Sequence, residues 1–302
     1  MQHELSAGMK IRIPFAILTA LLLLSPGARA QVPIATPDWS MDTKIAPAYF
    51  GPNAFPVPEM SDGRPHRGLY AELAGDFTRG HLADGQDVTR NAFLRISFPL
   101  WTPRAAVELW MPVVEWWDFS PAVAAARRLQ PARYRGHDAG DVYVCTSLHL
   151  LEGRDDGWKP DVLLRSVLKT ASGNSFGQAR YYDCPGYFFD LTVGEGFRSE
   201  GFVRELRLAL STGFLCWQTD NGRQNDAVMG GVLASLETSW FTLGAELGAY
   251  SGWEEDGDRP ARVRLRLDIR PWEASLHPFF QSCIGLHDYP FTQFRAGLAW
   301  SL

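Results

Sequence analysis

Apolar and polar side chains alternate along much of this chain with a period of two residues. The clearest run is 262–270, where charged side chains at the even positions alternate with Val, Leu, Leu and Ile at the odd ones. Similar alternation occurs at 92–98, 206–211 and 294–302. Only a β-strand places successive side chains on opposite faces. The pattern therefore predicts strands that have one apolar and one polar face.

All such runs together predict about twelve strands of 9 to 15 residues. They lie at 69–77, 87–98, 105–117, 141–151, 161–170, 186–195, 202–216, 227–237, 240–250, 261–270, 275–286 and 293–302. Strands of about 9–11 residues cross a bilayer, and single-chain outer-membrane barrels have an even number of them. We therefore predict an all-β fold, an antiparallel transmembrane β-barrel of about 12 strands. A soluble β-sandwich is the alternative, although its strands are usually shorter.

The lengths of the predicted connections alternate as well. The first, third, fifth, seventh and ninth have about 9 to 23 residues, whereas the even-numbered ones have 2 to 9. The eleventh, with about 6 residues, is an exception. In a barrel with both termini in the periplasm, the odd connections are the external ones. Pro112 and Pro278 fall inside predicted strands, where proline removes a ladder donor, so these two strands are the weakest assignments.

The N-terminus has the pattern of an export signal. Lys10 and Arg12 precede the largely apolar run 13–24, and Ala28-Arg29-Ala30 forms a small-residue cleavage site. We predict a signal peptide at 1–30, cleaved before Gln31, and an outer-membrane location.

The region between the signal and the first strand lacks alternation. Residues 31–65 contain seven prolines and predict an irregular N-terminal arm, which precedes a barrel formed by 66–302. We expect this arm to be a periplasmic tail. An arm that enters and plugs the barrel is the alternative.

Composition narrows the partners. The 302 residues carry 29 basic and 34 acidic side chains, a net charge of −5, so no basic surface indicates nucleic-acid binding. The expected partners are outer-membrane lipid, lipopolysaccharide and a small solute of unknown identity. No Cys or His pair has metal-ligand spacing, and we expect neither a metal nor a cofactor.

Three short segments carry a resemblance to known bacterial proteins. Asp138-Ala139-Gly140-Asp141, then Lys169 to Gly173, then Asp183 are similar to the G-x-G-D, K-x-x-x-G and D pattern of outer-membrane transporters grouped with phenol-degradation pathways. Asp138 stands where that pattern has its first glycine. The whole chain after the signal resembles exported bacterial outer-membrane β-barrels of uncharacterised function, a likeness that implies the fold but no activity.

The polar faces of the predicted strands define the candidate site. Polar faces point into the lumen of a barrel, and the arginine fork binds carboxylates in two-point contacts. The candidate lumen and constriction residues are Arg262, Arg264, Arg266, Asp268, Arg207, Glu205, Glu108, Lys169 and Arg165. Two interpretations stay open: the charges select solutes by charge and size, or they pair with one another and close the pore.

Cysteines offer a possible disulfide. Cys184 and Cys216 are both expected near the external rim, and the exported compartment permits disulfides. Cys216 has the parity of a lipid-facing residue, and free thiols are the alternative.

These features predict a channel or transporter for a small solute. A closed structural or cell-surface barrel that binds a partner or lipopolysaccharide is the alternative. A third hypothesis is a lipid hydrolase that uses Ser147 and His149, or Ser275 and His277. Pairs with this spacing are common by chance, and we expect no catalysis.

Overall fold

Twelve long antiparallel strands form the fold of this protein, seen in a computed structural model. The structure describes residues 47–64, 68–129, 133–153, 159–173, 185–218, 224–253, 257–270 and 274–302. The predicted signal peptide and residues 31–46 lie outside this part of the chain. The strands are β1 (Tyr70–Gly80), β2 (Asp87–Pro99), β3 (Ala105–Phe119), β4 (Arg135–Asp138), β5 (Tyr143–Leu151), β6 (Asp161–Lys169), β7 (Gly186–Arg198), β8 (Val203–Gln218), β9 (Gln224–Thr238), β10 (Phe241–Gly252), β11 (Ala261–Ile269), β12 (Leu276–His287) and β13 (Phe291–Ser301).

The sheet closes on itself as a barrel. Strand β1 is hydrogen-bonded to both β2 and β13, and β3 pairs with β2 on one side and β5 on the other. Each of the twelve predicted strands has its counterpart, so the predicted fold class is confirmed. Strand β4 is an addition that pairs with the last part of β3. We call the end that contains Tyr70 and Ser301 the terminus end, and the opposite one the loop end.

The two faces of each strand differ as the alternation predicts. In β8, Leu206, Leu208 and Leu210 are 41%, 47% and 60% exposed, whereas Glu205 and Arg207 are buried. A closed barrel that exposes its aliphatic face and buries its charged face suits a lipid surround. Within the described residues, no helix is long and apolar enough to span a membrane.

Pro112 fits into β3 because the strand is irregular there. Phe93 of β2 pairs with Pro112 and Ala92 pairs with Val114, so Val113 is the extra residue of a bulge. Bulges tolerate proline because the ladder is already interrupted at that point. Pro278 lies within β12, opposite Leu298.

The connection lengths are less asymmetric than predicted. At the loop end the connections at 120–142 and 170–185 are long and the ninth, at 253–260, has eight residues, whereas 81–86 and 219–223 have six and five. The prediction of long first and seventh connections is therefore wrong. The reason is that β1, β8 and β9 extend beyond the predicted boundaries, and the pairing of β8 with β9 continues to Gln218 and Gln224.

The connection at 120–142 contains two elements that the alternation does not show. Helix α1 spans Pro121–Ala126, and the hydroxyl of Ser120 caps it by accepting from the Val123 N–H. Strand β4 follows before the chain enters β5.

The N-terminal arm lies inside the barrel, at least over residues 47–64, so the expected periplasmic tail is wrong for this segment. Phe50, Phe55 and Val57 are buried in a cluster with aromatic residues of the barrel wall. Tyr49 contacts the Arg128 guanidinium at the loop end, and Arg64 is ion-paired with Glu205 at the start of β8. The arm therefore runs through the lumen from the loop end to the terminus end.

A disulfide tests this position of the arm. A side chain at Gly248 would lie 3.5 Å from the Cγ1 atom of Val57 without a clash. In a background without native cysteines, Val57→Cys with Gly248→Cys should therefore cross-link on oxidation, since disulfides need a short separation. Gly75 provides the matched control because it faces outward into open space, so Val57→Cys with Gly75→Cys should not cross-link. Gel mobility with and without reductant reads the result, and equal behaviour of the two pairs would contradict a luminal arm.

Leu210 tests the lipid-facing surface. Because it lies in the middle of β8 and is exposed, Leu210→Arg should lower the free energy of unfolding in lipid by about 2–4 kcal/mol. Leu210→Phe keeps an apolar side chain at the same position and should change it little. Equilibrium unfolding in bilayers measures both variants, and an unaffected Leu210→Arg would mean that this face does not contact lipid.

Candidate functional site

The charged row of β11 faces the lumen, as its parity predicts. Arg262 lies 3.3 Å from Glu246, and Arg264 lies 2.9 Å from the same carboxylate. Arg266 pairs with Asp268 on its own strand at 2.9 Å and with a glutamate of β1. These arginines therefore have carboxylate partners within the barrel wall.

The other predicted lumen residues also lie in ion pairs, but at different levels of the barrel. Their partners are Asp190 for Arg165 (2.7 Å), Asp161 for Arg207 (2.7 Å), Arg64 for Glu205, Arg95 for Glu108 (3.5 Å) and Asp141 for Lys169 (2.5 Å).

Of the nine predicted residues, six line one cavity together. They are Arg165, Arg262, Arg264, Arg266, Asp268 and Glu108. Glu205, Arg207 and Lys169 are not part of that lining.

This cavity has a volume of about 510 Å³ and lies between the arm and the barrel wall. Its lining contains eight arginines and five acidic residues. The arginines are Arg64, Arg95, Arg165, Arg262, Arg264, Arg266, Arg270 and Arg295, and the acids are Glu59, Asp62, Glu72, Glu108 and Asp268. Asp76, Asp190 and Glu246 also pair with lining arginines but do not line the cavity themselves. The cavity therefore presents mainly guanidinium groups, with some of their counter-charges behind them.

The two ends of the cavity differ. On the loop side, aromatic residues of the wall pack with Phe50 and Phe55 of the arm, including Tyr143, Phe188, Trp217, Tyr250 and Tyr289. On the other side the cavity reaches Arg270, Ser301 and Leu302 at the terminus end. Closure of the lumen is thus strongest towards the loop end.

Side chains of the wall hold the arm by its backbone carbonyls. Five carbonyls, those of Pro52, Phe55, Val57, Glu59 and Asp62, accept hydrogen bonds from wall donors. The donors are Tyr289, Tyr250, Arg262, Arg165 and Arg207, respectively, at 2.6–3.4 Å. Three of these donors are arginines that sequence reasoning places in the lumen. The arm partners escape that reasoning because residues 31–65 have no periodicity.

Glu59 is the central charge of the arm. Its carboxylate lies 2.5 Å from Arg95, 3.0 Å from Arg264 and 3.9 Å from Arg295. These arginines belong to three different strands, β2, β11 and β13. No sequence signal distinguishes Glu59 from other acidic residues, since only the fold brings it to them.

Two of the three segments that carry the sequence resemblance contact each other, those at Asp141 and at Lys169 to Gly173. Asp141, which precedes β5, binds Lys169 and accepts backbone N–H groups of Ser172 and Gly173. Burial raises the pKa of the Asp141 carboxyl to about 6, and the Lys169 ammonium and the two N–H groups limit the rise. These contacts fasten the first residues of the connection that follows β6 to Asp141. Asp183 lies outside the described residues.

The two serine–histidine pairs have other partners. Ser147 donates to the carbonyl of Ala106 at 3.5 Å, and His149 lies 3.1 Å from Asp161. His277 accepts from Arg270 at 3.1 Å and lies 3.4 Å from Asp268. Both histidines are buried and contact charged groups of the lumen.

The possible disulfide is not formed in this structure, because Cys216 carries a free thiol. Its side chain is buried and bonded to Asp226 and Tyr187 on the outer face of the neighbouring strands. This orientation agrees with the lipid-facing parity of Cys216. Cys184 lies outside the described residues.

Comparison with known proteins identifies the fold. No family model matches the sequence, and no curated protein matches it either. An outer membrane channel from Pseudomonas putida F1 is similar in structure, with a TM-score of 0.54 at 10% identity over 81% of this chain and 100% of that one. A KdgM porin in complex with disordered oligogalacturonate gives a TM-score of 0.46 at 12% identity, over 77% of this chain and 99% of that one. The transport unit of the autotransporter AIDA-I from Escherichia coli also gives 0.46, at 10% identity over 82% of this chain and 95% of that one.

The likeness to the Pseudomonas channel shows an outer-membrane β-barrel fold. The finer resemblance to transporters of phenol-degradation pathways stays a prediction, because no sequence comparison supports it. The chain is an outer-membrane-type β-barrel that carries its own N-terminal arm in a lumen lined by arginines.

Proposed function

We propose that this protein is an outer-membrane channel for small anionic solutes, and that its arm narrows the path. The observation that carries the proposal is the arginine-lined cavity of about 510 Å³ inside a transmembrane-type barrel. Rings of arginine in a pore wall favour anions through the local field and through direct hydrogen bonds. The apolar exterior and the predicted export signal support a place in the outer membrane.

The positions of the charges, more than the net charge of the protein, support a preference for anionic solutes. Arg165, Arg262 and Arg295 face the cavity, while the carboxylates nearest to them, Asp190, Glu246 and Asp76, do not line it. A solute in the cavity therefore meets guanidinium donors first. An anion gains charge-assisted hydrogen bonds there, whereas a cation meets like charge.

The arm makes conduction conditional. Residues 47–64 and the aromatic cluster fill the lumen on the loop side, so a solute passes only if the arm shifts or leaves. This same observation favours the alternative function, a permanently closed barrel. Contacts with outer-membrane lipid follow from the exposed aliphatic band, and lipopolysaccharide would meet its external margin.

Ion selectivity tests the channel. Replacing both Arg264 and Arg266 with Gln removes two cavity cations and leaves Glu246 and Glu72 in place, so the anion-to-cation permeability ratio should fall. Arg79 and Arg104 are exposed and lie outside the cavity, and their joint replacement with Gln is the matched control that should leave the ratio unchanged.

Reversal potentials in planar bilayers under a salt gradient measure this ratio. An unchanged ratio in the cavity variant would place the conducting path elsewhere. Absence of current from the wild type and from a variant that lacks residues 47–64 would instead support the closed barrel.

Orientation has its own test. The long connection around Arg128 is expected outside the cell, and the two-residue turn at Ser239 and Trp240 in the periplasm. A tag inserted after Arg128 should therefore be labelled on intact cells by an impermeant reagent, whereas a tag at Ser239 should be labelled only after lysis. The opposite pattern would show that the barrel is inverted.

A further inference from the structure

Glu59 is bound in a way that resembles a ligand more than a structural side chain. It belongs to the arm and not to a strand, and its carboxylate reaches guanidinium groups on three separate strands, Arg95, Arg264 and Arg295. Its own backbone carbonyl accepts from Arg165 at 2.7 Å. The wall therefore binds a carboxylate that another part of the chain delivers to it.

The three arginines are held in position without Glu59. Asp76 binds two nitrogens of Arg295 through both of its oxygens, at 2.6 and 2.8 Å, whereas Arg264 donates from Nη1 alone to both oxygens of Glu246. Arg95 lies 3.6 Å from Glu72 and 3.5 Å from Glu108. Arg295 also lies over the Phe93 ring, with its guanidinium carbon 3.7 Å from the ring centre. Such contacts fix a guanidinium group in one orientation. A site prepared in this way persists when the arm moves.

The site also has unused donor capacity. Arg264 Nε and Arg295 Nη1 are buried and have no hydrogen-bond partner among the described residues, and Arg95 Nε has only the ion-pair contact with Glu108 at 3.5 Å. A buried donor without a partner is costly, so these atoms favour an additional acceptor. A small carboxylate is free to choose its position and can satisfy donors that the tethered Glu59 leaves unpaired.

The site is reachable from the terminus end. Arg95, Arg264 and Arg295 line the same cavity as Ser301 and Leu302, the last residues of the chain. A solute that enters from this side therefore meets the three arginines within one continuous space.

We infer that Arg95, Arg264 and Arg295 form a carboxylate-binding site, that Glu59 occupies it as a built-in ligand, and that the carboxylate of a solute takes its place when the arm withdraws. As a statement about solutes this inference rests on the proposed channel, and it makes monocarboxylates the preferred class. Glu59 thereby holds the arm in the lumen, and its carboxylate indicates the chemical group that the site binds.

Chemical rescue tests the site. Glu59→Ala removes the carboxylate and leaves space for a small one, so the barrel should unfold at a temperature lower by roughly 5 °C or more. Propionate should restore much of this loss in a saturable way. Propionamide has the shape of propionate but no charge, and it should not restore the unfolding temperature. Chloride at equal ionic strength has the charge but not the shape, and it should not restore the unfolding temperature either. The temperature at which gel mobility changes in detergent reads unfolding.

Two further variants make the test specific. Met60→Ala opens a space on the same arm without removing a charge, and propionate should not rescue it. Adding Arg264→Gln to Glu59→Ala removes one arginine of the site and should abolish the rescue. If Glu59→Ala does not fold alone, the refolding yield with propionate against propionamide becomes the measurement.

Equal rescue by chloride and propionate would mean an unspecific anion site and would overturn the inference, as would rescue by propionamide. Absence of rescue would overturn it as well. Because rescue does not depend on conduction, the two proposals fail separately. Rescue in a barrel that never conducts would retain the carboxylate site and reject the channel, whereas conduction without rescue would retain the channel and reject the site.

Discussion

Arginine–carboxylate pairing across neighbouring strands is the interaction on which this barrel depends. Arg95 is in register with Glu72, Arg295 with Asp76, Arg165 with Asp190 and Arg264 with Glu246. These pairs span four strand interfaces. A slip of one residue in a strand that carries one of these arginines would turn that arginine towards lipid, at a cost of about 2–4 kcal/mol near the bilayer midplane. The pairs that fill the lumen therefore also set the register of the sheet.

The arm follows from the same constraint. A buried guanidinium is stabilised by acceptors for its five N–H groups, and one carboxylate does not supply enough of them. The carbonyls of Val57, Glu59 and Asp62 supply further acceptors for Arg262, Arg165 and Arg207. The arm is thus an internal partner for wall residues that would otherwise need water. Its removal would leave donors whose positions are already fixed.

The barrel strands can be predicted from the sequence, but the position of the arm cannot. Alternation is a local property of the chain, and it predicts all twelve strands and the inward direction of the row from Arg262 to Asp268. The arm makes contacts with residues far away in sequence, such as Arg262 with Val57 and Arg207 with Asp62, and no local pattern encodes them. Helix α1 is different, since Ser120 followed by Pro121 is a recognisable helix start that a search for alternation does not reveal.

Eight arginines and no lysine line the described cavity, and this choice of residue has a physical reason. Arg165 binds both oxygens of Asp190 and, in addition, the carbonyl of Glu59. The Arg266 guanidinium serves Asp268, Glu72 and the Tyr70 hydroxyl at once. A lysine ammonium is a compact, strongly hydrated charge and cannot bridge such planar sets of acceptors. Lys169 lies instead at the end of β6 against Asp141. A wall of arginines can therefore join two strands and still present donors to whatever occupies the lumen, and in this structure that occupant is the chain's own arm.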